Sequence, residues 1–167
     1  MASHIRFVTH GAIIAALYVG LTYLSYALGL DKGAIQLRLS EALCVLGAFT
    51  PAAVPGVSVG CFLANLLTGC HPLDIVFGTV ATVLGALGGY LLRFLLRKAG
   101  GVFLVPLPNI IANTLIIPFV LQYAYGVTDG YFFLVLTVGA GEILSSGALG
   151  GLLALSLKKR AFFSEER

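Results

Sequence analysis

The chain has 167 residues, a net charge of +3, 59% hydrophobic and 10% charged side chains, and a mean hydropathy of +1.01. A water-soluble domain of this length carries about a quarter charged residues, so the composition excludes a soluble catalytic domain. It points to an all-α, polytopic membrane protein. The basic residues form no stripe with interleaved aromatics, which also excludes a nucleic-acid surface.

A helix needs roughly 20 apolar residues to cross a bilayer core, and the chain supplies six candidate segments with short connections. The first covers about residues 5–28, before the polar stretch around Asp31 and Lys32. The second, about 37–49, stops at Thr50-Pro51, and the third, about 54–67, ends in Thr68-Gly69-Cys70-His71-Pro72. Both are short enough to be tilted or incomplete crossings. The fourth spans about 73–96 and ends at Arg97-Lys98. The fifth, about 105–123, is interrupted by Pro106, Pro108 and Pro118. The sixth runs about 131–157 to the Lys158-Lys159-Arg160 cluster. The whole chain, 1–167, thus reads as a single transmembrane domain. The first apolar run is too long for a cleavable signal peptide and lacks a small-residue exit.

With six crossings both termini share a side. Arg6, Arg97 with Lys98, and the C-terminal basic cluster then fall together, which places both termini in the cytoplasm. The cysteines, Cys44, Cys61 and Cys70, form no CxxC pair and read as small apolar fillers. No metal-ligand set, no nucleophile–base pair and no phosphate-binding loop is present in the sequence, so no cofactor is expected and ATP chemistry would need another protein.

Ionisable groups inside a bilayer are costly and require a reason. Gln36, Arg38 and Glu41 lie at the start of segment two, Asn65 at the end of segment three and Asp74 at the start of segment four. Asn109 and Asn113 lie in segment five, and Glu142 sits amid glycines in segment six. At 1.5 Å per residue, Arg38, Glu41, Asn65 and Asp74 fall in the outer third, and Asn113 and Glu142 about 15–18 Å from the outer surface. A polar outer half above an apolar inner half describes a cup open to the outside rather than a channel. Simpler readings stand beside this one. Arg38 and Glu41 are spaced to pair on one helical face, Asp74 suits a helix N-terminus, and the asparagines can bridge helices. The tyrosines read mostly as an interfacial belt.

Ala12, Ala16 and Gly20, with Gly11 and Ala15 beside them, form a small-residue strip on segment one. It serves either internal packing or docking of a partner membrane protein. Gly85, Gly88 and Gly89 form a second strip that reads as internal.

Six segments, no ATPase and a small strip on the first helix resemble the substrate-binding S component of energy-coupling factor (ECF) transporters. The blocks Ile35–Leu43, Phe49–Gly56, Gly60–Asn65, Leu73–Thr79 and Val138–Glu142 resemble the QueT family of queuosine-precursor transporters. That resemblance implies capture of a 7-deazaguanine, such as the aminomethyl base or queuine, by Gln36, Arg38, Glu41, Asn65, Asp74, Asn113 and Glu142. A guanine-like edge suits carboxylate and amide partners, and a cationic amine on the ligand suits a second carboxylate, here Asp74. Ala12 and Ala16 resemble the alanine motif by which S components meet the coupling transmembrane subunit, which works with two cytosolic ATPase subunits in the bacterial plasma membrane. The rival expectations are an S component for another vitamin-like ligand and an intramembrane enzyme built on Glu41, Asp74 or Glu142.

Overall fold

In the computed structural model, residues 2–30, 36–97 and 101–165 are described. The stretch containing Asp31 and Lys32, and Lys98 of the expected basic loop, lie outside them. Helix α1 spans Ala2–Ala27. A 3₁₀ helix follows at Leu39–Ala48, then α2 (Ala53–Leu67) and α3 (Pro72–Leu91), which continues as a 3₁₀ turn over Leu92–Arg97. A short 3₁₀ turn, Gly101–Leu104, leads into α4 (Leu107–Tyr125). The last segment runs without interruption through α5 (Tyr131–Glu142), a π-helical stretch (Ile143–Leu149) and α6 (Gly150–Glu165). There is no strand among the described residues.

The boundaries follow from local chemistry. Gly29, Gly69 and Gly126 take positive φ just past the ends of α1, α2 and α4, the left-handed closure that glycine adopts without steric cost. At α3 the His71 ring nitrogen Nδ1 accepts from the Leu73 amide at 3.2 Å, and Pro72 takes the first helical position, where no amide hydrogen is needed. Pro106 sits at the N-cap of α4 and Pro108 in its first turn, where no amide hydrogen is needed.

Four stretches among the described residues, His4–Ala27, Pro72–Leu96, Gly101–Tyr125 and Tyr131–Lys159, are long and apolar enough to cross a bilayer. They coincide with expected segments one, four, five and six. The other two differ in kind. Leu39–Ala48 is a ten-residue 3₁₀ helix, about 20 Å long at the 3₁₀ rise, against the roughly 30 Å of a hydrocarbon core. Nearly all of it is buried, Glu41 included. It packs against α1, α2, α3, the π stretch and α6, so it forms the centre of the bundle rather than a lipid-facing wall. A segment apolar all round must be covered on every side, and short length lets its neighbours enclose it.

Missing side chains set the helix spacing. A Cβ on Gly56 would lie 2.8 Å from the Gly11 carbonyl oxygen, and one on Gly60 would lie 2.7 Å from Tyr18 Cβ and 3.1 Å from Ala15 Cα. Gly85 and Gly88 lie directly against Asn109 and Pro108. The glycine strip of α3 is therefore internal, as its sequence suggests, and it brings the start of α4 onto α3.

Candidate functional site

The hydrogen-bonded polar groups inside the bundle collect around the 3₁₀ helix. Glu41 projects from its first turn and is 2% exposed. It accepts from the Tyr18 hydroxyl of α1 and from the amide of Asn109, Nδ2 to Oε2 3.0 Å. The same Asn109 nitrogen is 3.2 Å from Glu142 Oε2 and 3.2 Å from Ser146 Oγ. Asn113, one turn further along α4, donates to the Asn109 carbonyl at 3.1 Å. The π stretch begins just after Glu142 and widens the helix at the turn that faces Asn109; such widened turns recur at functional positions.

A second group lies toward the start of α3. Arg38, in extended backbone just before the 3₁₀ helix, places Nη2 3.5 Å from Asp74 Oδ2. The Tyr125 hydroxyl donates to the same oxygen at 2.9 Å and accepts from the His71 amide at 3.1 Å. Asp74 Oδ1 is buried without a hydrogen-bond partner. A Cβ on Gly78 would sit 3.2 Å from that oxygen and 3.1 Å from Asn65 Nδ2, so Asn65 and Asp74 flank one small gap.

Between the two groups lies a cavity of about 20 Å³ lined by Gln36, Arg38, Asn113, Ile117, Val138 and Glu142. A neighbouring cavity of about 100 Å³ shares Gln36 and Val138 and extends to Asp129 and Phe133. The Gln36 backbone passes directly over Gly141, where a side chain would collide with it. The smaller cavity holds about one water and is far below the several hundred Å³ of typical ligand pockets. A larger cavity, about 670 Å³, is instead lined by Leu73, Phe77, Leu115, Ile116, Phe119, Val120 and Tyr123. Phe77, Phe119 and Tyr123 are exposed there. Without convergent polar groups, this groove suits lipid chains and not a heterocyclic base.

Four of the expected residues, Gln36, Arg38, Asn113 and Glu142, thus share one cavity wall. Glu41 is joined to them through Asn109, and Asp74 through Arg38. Asn65 stands apart from the cavity, beside Asp74. Three features add to or depart from the expectations. Arg38 pairs with Asp74 and not with Glu41, because residue 38 is extended and the helical face shared with Glu41 does not exist. Tyr18 is not an interfacial tyrosine: it is 2% exposed and bonded to Glu41, its place marked only by the helical spacing from Gly11 and Ala15. Asn109, read as possible helix glue, is the hub of the carboxylate cluster. Among the described residues no group of His, Cys, Asp and Glu could hold a metal ion.

On α1, Ala12, Ala16 and Gly20 are exposed, whereas Gly11 and Ala15 are half-buried and face α2. The strip is therefore split between an inner face and an outer face.

A bundle of long apolar helices around a buried polar cluster, with large apolar side chains covering its outer surface, is a multi-pass membrane protein. The model of a family described as QueT transporter matches residues 8–159, and the chain belongs to that family. A relative from Lactococcus lactis subsp. cremoris (strain MG1363), the "Queuosine precursor transporter QueT", is 35% identical over 72 residues. That stretch covers 43% of this chain and spans 42% of the relative's length. No solved structure matches.

Proposed function

We propose that this chain is the substrate-capture subunit of an energy-coupling factor importer and binds a queuosine precursor of the 7-deazaguanine class. The observation that carries the reading is the buried cluster of Glu41, Asn109 and Glu142 beside a cavity walled by Gln36, Arg38 and Asn113. Carboxylates accept from the N–H donors of a guanine-like edge, and amides meet its mixed donor and acceptor positions. Membership in the family, and the name of the Lactococcus relative, support the same ligand class.

In this reading residues 1–167 form one S-component domain with six membrane segments and both termini in the cytoplasm, and the polar site opens outward in the bacterial plasma membrane. Gln36, Arg38, Glu41, Asn113 and Glu142 hold the ligand, with Asp74 and Asn65 behind Arg38. The cavity must widen to admit a bicyclic base, and the wall at Gln36, whose backbone crosses Gly141, is the part that yields. Ala12, Ala16 and Gly20 face a coupling transmembrane subunit, and two cytosolic ATPase subunits supply the energy.

Calorimetry on the purified chain tests this. Sub-micromolar binding of a 7-deazaguanine, lost in Glu142→Ala and in Glu41→Ala, is the expected result. Tight binding of an unrelated vitamin with none of a deazaguanine would overturn the ligand assignment.

A further inference from the structure

Glu41, Asp74 and Glu142 are all buried in the bundle. Among the described residues, the cation that reaches them is Arg38, and it is paired with Asp74. Glu41 and Glu142 are left to share the Asn109 amide, at 3.0 and 3.2 Å. An amide is neutral; it orients both carboxylates and cancels neither charge. Arg38 also shares the cavity wall with Glu142, and the other titratable groups facing the pair carry no positive charge. Tyr18 from α1 donates to Glu41, Cys44 of the 3₁₀ helix lies 3.5 Å from Glu41, and Cys61 of α2 is bonded to Thr82 of α3. Helix α4 contributes Asn109 and Asn113, and the π stretch contributes Ser146. Three buried carboxylates with one guanidinium among them leave an excess of negative charge in a low-dielectric interior, which one bound proton offsets.

A cavity reaches this pair at Glu142, with Gln36, Arg38 and Asn113 as its other polar walls. We propose that Glu142 carries a proton before ligand binds, and that a cationic amine arriving there expels it, so that substrate capture is coupled to proton release. This rests on the capture reading above and moves the amine's partner from Asp74 to Glu142, since Glu142 lines the cavity and Asp74, paired with Arg38, does not. The step balances without electron transfer. The ligand enters as an ammonium, one carboxylic acid and one carboxylate become two carboxylates, and the O–H proton leaves to water.

The sign of the pH dependence follows. The free protein carries one proton more than the complex, so raising the pH strengthens binding. The limit is about tenfold per pH unit over the range in which Glu142 of the free protein still holds its proton. A neutral 7-deazaguanine without the amine leaves that proton in place and binds with little pH dependence.

The test is calorimetry at one pH in buffers of different ionisation enthalpy, using the aminomethyl-7-deazaguanine and a neutral 7-deazaguanine as probes. Release of about one proton per bound amine, and about none for the neutral base, is expected from the linkage. Glu142→Gln should lose the proton release and weaken the amine more than the neutral base, while an unchanged far-UV circular dichroism spectrum reports an intact fold. Tight binding of the amine with no proton released, or equal release with both probes, overturns the inference and leaves the capture reading standing. Failure of both probes to bind overturns the capture reading, and the inference with it.

Discussion

Asn109 of α4 and Glu41 of the 3₁₀ helix are 68 positions apart in the chain, and their side chains meet at 3.0 Å. The contact exists because Gly85 of α3 has no side chain where Asn109 lies. One amide then holds two carboxylates and a serine from separate segments, which ties the centre of the bundle to α4 and to the last helix.

Replacing Asn109 by alanine leaves buried acceptors without their donor, a cost of about 1–3 kcal/mol. A lower melting temperature in detergent is expected, with a larger fall for Asn109→Asp, which adds a third acid. An unchanged melting temperature in both variants would show that Asn109 does not organise the cluster.

Gly85→Val places atoms where Asn109 lies and should cost about 1–3 kcal/mol or more through overpacking. It is expected to lower the monodisperse yield on size exclusion. Gly20→Ala is the matched control: nothing lies within 4 Å of a Cβ there, and alanine favours a helix over glycine. Equal behaviour of the two variants would contradict the tight α3–α4 approach.

Arg38 and Asp74 should show coupling in a double-mutant cycle. Arg38→Gln leaves Asp74 buried beside the Tyr125 hydroxyl alone, while Asp74→Asn removes that charge. The double variant should therefore be more stable than the two single losses predict, by an interaction of about 0.5–3 kcal/mol. The low end is expected because the arginine side chain keeps 21% of its exposure and is partly screened. Simple additivity in thermal unfolding would mean that the pair contributes nothing.

The two faces of α1 predict opposite phenotypes. Ala12→Trp with Ala16→Trp should abolish co-purification with a coupling subunit and spare ligand binding, since both positions are exposed. Ala15→Trp should damage the fold, because Ala15 lies against Gly60 of α2. If the Ala12/Ala16 variant also loses ligand binding, the outer strip is a packing surface within this chain.

Much of the site was legible from one rule, that polar groups inside an apolar run need a partner. That rule singled out Gln36, Arg38, Asn113 and Glu142, which line one cavity, and Glu41, which Asn109 joins to Glu142. It could not say who pairs with whom. The Arg38–Glu41 spacing suits a helix, but residue 38 is extended, and Asp74 from another helix takes the guanidinium. Tyr18 has the same residue type as tyrosines at the interface; only the fold turns it inward to Glu41.

The opening composition set the broad answer. With 59% hydrophobic residues in long runs, the chain had to be a helical membrane protein, because unpaired backbone cannot enter lipid. Its apolar runs placed the segment ends within a few residues, through the glycines and prolines that close helices. Helix rotation and burial order were decided only in three dimensions. Lipid and protein interior are similarly apolar, so hydropathy does not distinguish the outer Ala12 face from the inner Ala15 face. For the same reason it could not show that the short second segment, Leu39–Ala48, is the buried centre on which the polar site is built.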